Sequence, residues 1–365
     1  MSHPHFSDED WARVARDTTA WWAGELDRPL IYLSATDALP ETPAYAYLSN
    51  YPAAMSAEAI VDLHQPHIEA TRYYGDAFPA WWMNFGPGIM AGFAGGEVHS
   101  VSEPSETVWF TPAEPTPLRG LTLSFDPSNA WWQRVQALTA AAVERWDGAV
   151  AIGHTDLGGN LDILASLRDT QTLAMDLIDC PEEVDRLVSE ITQLWIRYYD
   201  ALDALIRPTC RGTTCWTPLW SPGKTYMLQS DFSYMISPAM FERFVMPDLV
   251  ECCEILDHGF YHLDGKGEIP HLDMLLSIER LRGIQWIPGD GQPEPHEWLP
   301  LLKRIRDGGK LCQVFVSPEG ARTIVDALGG KGFLLVINHD GRDFRDPERA
   351  EAFLQTFERR DRCKP

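Results

Sequence analysis

The chain has 365 residues, and 45% hydrophobic with 23% charged residues excludes a disordered polymer while allowing a full core without disulfide staples. Lys and Arg number 30 against 53 Asp and Glu, a formal charge of −23. A surface that acidic repels phosphate backbones and anionic lipid, which excludes nucleic acid and membrane surfaces as partners. The seven cysteines follow no paired spacing, the start MSHPHFSDEDW carries no leader pattern, and no apolar run is long enough to span a bilayer. These features predict a cytoplasmic protein.

Ser7 and the acids after it open a helix in which Trp11, Val14, Ala15 and Thr18 recur at helical spacing. Residues 29–33 read as a strand, 57–73 as a helix, and 78–85 as a second strand ending in Asn84-Phe-Gly-Pro-Gly88. Residues 97–112 form a small β excursion, and 129–146 a helix carrying Trp131 and Trp132. From Gly148 the rhythm is regular. Strands at 150–154, 213–216 (with an extended piece at 226–229), 260–263, 284–287, 311–316 and 332–337 alternate with helices. Those helices are 161–206 (broken at Cys180-Pro181), 238–256, 270–281, 296–306, 318–328 and 345–359.

Short unbroken apolar strands alternating with amphipathic helices predict a parallel sheet covered on both faces. Eight such strands can be counted, which favours an α/β fold of the (β/α)8 TIM barrel type over an open sheet. The reading is one barrel domain, with an N-terminal helical and small β embellishment plus the first strand in 1–75 and the remainder of the barrel in 76–365. Neither GxGxxG nor GxxxxGK[ST] occurs, so dinucleotide and P-loop phosphate binding have no motif here.

In such a fold the chemistry gathers beyond the C-terminal ends of strands. Alternation along an extended segment aims His262 and Asp264 at one point, and His339 follows the last strand. Two imidazoles and a carboxylate could hold Zn²⁺ or Fe²⁺ with open positions. The same His262 could instead simply hydrogen-bond Asp264 or a neighbouring loop. Asp231 follows a strand-like piece and suits substrate orientation or general acid/base work, or equally a helix cap. Asp156 and Asn160 flank the Gly158-Gly159 turn, where backbone could approach a ligand. Trp81, Trp216, Trp220 and Trp286 lie at or beyond strand ends and could wall a pocket or cage an organic cation. Asn84 closes the second strand, and Lys224 and Lys266, in a Lys-poor chain, could clamp a substrate oxygen.

Ser237-Pro-Ala-Met-Phe-Glu-Arg-Phe-Val-Met-Pro247 resembles the S-P-x-x-F-x-x-F-x-x-P helix of the uroporphyrinogen decarboxylase superfamily. Tyr261-His-Leu-Asp-Gly265, Asn84-Phe-Gly-Pro-Gly88 and Cys180-Pro-Glu-Glu-Val184 are similar to segments of that superfamily too. The resemblance implies a (β/α)8 barrel. True decarboxylases of the family use an Arg-rich loop after the first strand, and residues 29–37 contain no Arg. The other branch carries out zinc-dependent methyltransfer between a corrinoid protein and a thiol, using His-x-Cys after the fifth strand and a Cys after the eighth. Here His262 matches that His, Asp264 stands at the first Cys position, and His339 lies near the second.

The resemblance therefore implies a metal-assisted, methyltransferase-like enzyme for a small methylated or thiol-bearing substrate, not a true uroporphyrinogen decarboxylase. His262, Asp264 and His339 would hold Zn²⁺, with Asp231, His262 and Asp264 as the catalytic groups. Any corrinoid would arrive on a partner protein, and a homodimer is compatible with the sequence. The alternatives are metal-free acid/base chemistry of a lyase or decarboxylase, and a non-enzymatic barrel binding an organic cation.

Overall fold

The computed structural model describes residues 5–37, 44–101, 106–339 and 344–358. Seven strands make the main sheet, in the order β2 (Thr71–Gly75), β1 (Leu30–Thr36), β11 (Phe333–Ile337), β10 (Leu311–Val316), β9 (Leu281–Ile287), β8 (His258–Asp264) and β7 (Thr225–Leu228). All neighbours in it are parallel except β1 with β2. A separate parallel pair joins β3 (Ala80–Trp82) to β6 (Ala151–Gly153), and β4 (Glu97–Val101) forms a hairpin with β5 (Thr107–Thr111). The fold is thus α/β, with a largely parallel sheet and helices between its strands.

Three departures from the sequence reading matter for the site. The helix expected over 57–73 runs Ala57–Glu69, and Thr71–Gly75 becomes β2. The β-branched and aromatic run Thr71-Arg-Tyr-Tyr favours extended backbone, and it pairs antiparallel with β1, Thr36 facing Thr71. β2 thereby occupies the edge of β1 that a barrel would offer to β3. Next, residues 213–216 form no regular strand. Thr214 makes one parallel bridge to Gly153 and Thr213 one antiparallel bridge to Ser221, while the laddered strand is Thr225–Leu228. Last, among the described residues no ladder joins β3 to β1 or Thr214 to β7, so hydrogen bonds do not close the sheet into a ring.

The N-terminal helix Asp8–Trp22 crosses the N-terminal ends of these strands. It begins with a capping box between Ser7 and Asp10. Trp11 packs with Phe6, Phe78, Ala151 and Trp220 in a cluster below β3 and β6. Trp22 stacks on His258 at the start of β8, with centroids 4.3 Å apart, and its Nε1 donates to the Trp220 carbonyl at 3.0 Å. Arg282 at the start of β9 donates to the Trp22 carbonyl at 2.6 Å. The helix therefore ties both strand groups together at one end and leaves the other end for chemistry. No helix among the described residues is long and apolar enough to cross a membrane.

Candidate active site

Asp231, His262 and Asp264 converge at the C-terminal ends of β7 and β8. One ligand atom from each lies within 4.8 Å of the others. The period of two along β8 turns His262 and Asp264 to one face, as the H-x-D spacing predicts. Asp231 reaches them from the 3-10 turn Asp231–Met235, three residues past the end of β7. The Asp162 carboxylate fixes that turn by accepting the Asp231 and Phe232 N–H groups at 3.0 and 2.7 Å.

A relay of amides behind His262 decides its tautomer. The Pro218 carbonyl can only accept, so Gln313 turns its Nε2 there, at 3.0 Å. Gln313 Oε1 then accepts from Gln285 Nε2 at 2.6 Å, which leaves Gln285 Oε1 facing His262. Oε1 cannot donate, so His262 Nδ1 carries a proton, and in the neutral ring Nε2 is the nitrogen that holds the lone pair. Thr217 Oγ1 ties in, donating to Gln313 Oε1 at 3.1 Å and accepting from Gln285 at 3.3 Å. Strand register puts His262 opposite Gln285 and Gln285 opposite Gln313, so the relay crosses β8, β9 and β10 in one row. Trp216 stands edge-on to His262, centroids 5.1 Å apart, held by its Nε1 on the Met227 carbonyl at 3.0 Å.

Carboxylates crowd this end of the molecule. Burial pushes Asp156 up to about 7, with Asp231 adding repulsion, and pushes Asp162 up to about 8 in the same way. Asp231 is reachable by solvent, yet desolvation is still the largest influence on its carboxyl. Its pKa is raised, with His262 pulling it down and Asp264 pushing it up. Glu268 is fully buried, accepts the Tyr261 hydroxyl at 2.9 Å, and is held well above the usual carboxylate range by desolvation. His154, fully buried and stacked on Tyr199 at 4.4 Å, is pushed down to about 3 by burial, so its imidazole is neutral.

The other expected site residues sort by strand geometry. His339 does not join the group; its Nε2 donates to the Ser34 carbonyl at 2.8 Å, at the end of β1. Asp340, beside it, lies outside the described residues. Trp286 alternates with Gln285 and so faces away from the relay, against Trp298 at 5.0 Å. Trp81 faces the helix layer, against Trp146 at 5.2 Å, and Trp220 is buried at the opposite end of the strands, beside Trp11. Of the four tryptophans, Trp216 alone lies against the group.

Asn160 is consumed structurally, its Nδ2 donating to the Phe244 carbonyl at 2.9 Å and its Oδ1 accepting the Leu161 N–H at 2.7 Å. Asn84 Oδ1 accepts the Gly86 N–H at 3.0 Å within its turn. The Gly158-Gly159 turn meets backbone rather than a ligand. A Cβ at Gly158, where φ is +87°, would stand 2.7 Å from the Gly88 Cα, and one at Gly159 would stand 2.1 Å from the Gln229 carbonyl oxygen. Lys224 precedes β7, at the far end from the site, and pairs with Asp200 at 2.6 Å. Lys266 is exposed at the rim, lining a small cavity of about 200 Å³ with Asp264 and Tyr234.

The sequence reading passed over Asp162, Gln285, Gln313 and Thr217. A glutamine at the centre of each of two apolar strands was the available signal, because a buried amide demands polar partners.

No protein-family profile matches the chain, and no curated protein matches it in sequence. A solved structure, a methyltransferase from Methanosarcina mazei, superposes with a TM-score of 0.62 over 95% of this chain and 98% of that one, at 13% identity. At that identity the likeness is one of fold.

Proposed function

We propose that the protein is a metal-assisted methyltransferase, built on the barrel plan of the uroporphyrinogen decarboxylase superfamily and acting on a small methylated or thiol-bearing substrate. The observation that carries this is the convergence of Asp231, His262 and Asp264 with His262 Nε2 kept free by the amide relay. One imidazole nitrogen and two carboxylates suit Zn²⁺ with positions left open for substrate, and a metal-ligating histidine is ordinarily fixed through its other ring nitrogen. The metal would serve as a Lewis acid for a substrate heteroatom. Asp231 replaces His339 in the ligand set. Trp216 packs against the imidazole and limits water there. The structural neighbour is a methyltransferase as well, which supports the class of reaction.

In this reading β3, β6 and the Thr213-Thr214 bridge complete one barrel domain around the shared N-terminal plug, in a cytoplasmic enzyme. A corrinoid would come on a separate protein docking at the rim, where Trp109, Tyr234 and Met235 are exposed. A second reading, metal-free acid/base chemistry, draws on Asp162 and Asp156 being held at about 8 and 7 beside Asp231.

Metal analysis of protein purified without chelator separates the two. The expected result is about one zinc per chain, with affinity falling about 100-fold or more in His262→Ala and in Asp264→Ala. A metal-free protein whose turnover is untouched by chelator overturns the metal reading in favour of the second.

A further inference from the structure

A groove of about 590 Å³ runs from Asp231 along the β4–β5 hairpin. Gln229, the first residue beyond β7, lines it while being only 5% exposed. Its side chain is hydrogen-bonded to Asp156. Gln229 favours the ionised form of Asp156, which is a donor's effect, so its Nε2 faces Asp156 and Oε1 is turned away from it. Among the described residues, Oε1 has no hydrogen-bond partner. A buried acceptor without a donor is costly, and a ligand bringing an N–H removes that cost. The surrounding walls narrow the ligand further. Asp231 supplies negative charge, the Asp162 carboxyl beside it supplies a further acceptor oxygen, Trp109, Phe110 and Phe232 supply aromatic surface, and among the described residues no Lys, Arg or His lines the groove.

We propose that this groove binds a small N-protonated alkylammonium. One N–H donates to Gln229 Oε1, the charge is balanced by Asp231, and the alkyl groups lie against the aromatic walls. An anion has no cation to meet it here. A quaternary ammonium finds the charge and the aromatics but leaves Oε1 unpaired, so the groove selects tertiary and lower amines over quaternary ones. The role of the bound amine as the methylated substrate rests on the function proposed above; the binding itself does not.

Calorimetric titration of the full-length, chelator-treated protein at neutral pH tests this with trimethylammonium, tetramethylammonium, tert-butanol and trimethylacetate as probes. Trimethylammonium is expected to saturate the protein and to bind about tenfold tighter than tetramethylammonium, with no measurable binding of the alcohol or the anion. Gln229→Met keeps the side-chain length and should erase the preference while leaving tetramethylammonium unchanged. Trp109→Ala, on the exposed hairpin, should weaken both cations several-fold without touching the fold. Equal affinity for the two cations in the unaltered protein, binding of tert-butanol as tight as that of trimethylammonium, or no saturation by either cation overturns the proposal. Because the protein is metal-free in this assay, the preference can hold when zinc analysis fails, or fail when zinc is bound, and the two readings fall separately.

Discussion

Gln285 has three jobs within one buried row: it accepts from His262 Nδ1 and donates to both Thr217 Oγ1 and Gln313 Oε1. Replacing it with Met keeps the volume and removes all three bonds. The imidazole can then present either nitrogen, and part of the population turns its lone pair away from Asp231 and Asp264. Loss of such an orienting partner typically costs ~10–100-fold in metal affinity, and that is the expected outcome for Gln285→Met in a chelator competition with zinc. Gln285→Glu should recover part of the affinity, since a carboxylate also accepts from Nδ1–H but cannot donate to Gln313 Oε1. Unchanged zinc affinity in the Met variant would show that the relay only fills space.

At the scale of elements, the period-two pattern of β8 made His262 and Asp264 legible as a pair before any coordinates. What pattern cannot supply is the approach of a third group. Asp231 comes from a turn whose position depends on Asp162, in the first turn of the helix Asn160–Arg168. His339 follows the last strand as the resemblance led one to expect, yet its ring is drawn to the Ser34 carbonyl on β1. The tryptophans do not gather in one place because a strand end has two faces, and sequence position alone does not say which face the helices cover.

The end of a strand was equally ambiguous at Trp220, which the N-terminal helix claims. Trp22 on that helix is buried, stacks on His258 and bonds the Trp220 carbonyl. Trp22→Ala should cost about 3–5 kcal/mol by chemical denaturation. It should also uncover His258, now pushed down to about 4 chiefly by burial, so that its pKa climbs back toward the ordinary histidine value in an NMR titration. Zinc affinity should not change, because the plug and the carboxylate group lie at opposite ends of the strands.

For the whole molecule, buried carboxyls and buried imidazoles pull stability in opposite directions with pH. Burial holds Asp156 and Asp248 at about 7 and Asp162 at about 8 in the folded state. The unfolded chain releases those protons near pH ~4, so from there up to pH ~8 the folded state binds more protons and stability falls as pH rises. His154 is held down at about 3, and His64 and His258 at about 4, by burial in each case. The unfolded chain protonates these below pH ~6.5, so their contribution is complete above that value and is lost as pH falls.

Glu268, also held well above the usual range, makes a fourth such carboxyl, so between pH ~4 and ~6.5 the three imidazoles offset most but not all of the carboxyl effect; above ~6.5 only the carboxyls still titrate. Each proton lost there also deepens a formal charge of −23 and its self-repulsion. Thermal unfolding in chelator should therefore show a shallow decline near pH 5–6.5, then a steeper loss of roughly 3–4 kcal/mol by pH ~8. Asp248, bonded to Thr192 at 2.5 Å and outside the Asp231, His262 and Asp264 group, isolates one share of this. Asp248→Asn, neutral at every pH, should take away about one proton's worth of slope and so make the decline shallower from pH ~5 to ~7. A melting temperature that climbs from pH ~6.5 to ~8 would mean that the buried carboxyls are ionised and paired in the folded protein, and that the acidic interior is held by cations rather than by protons.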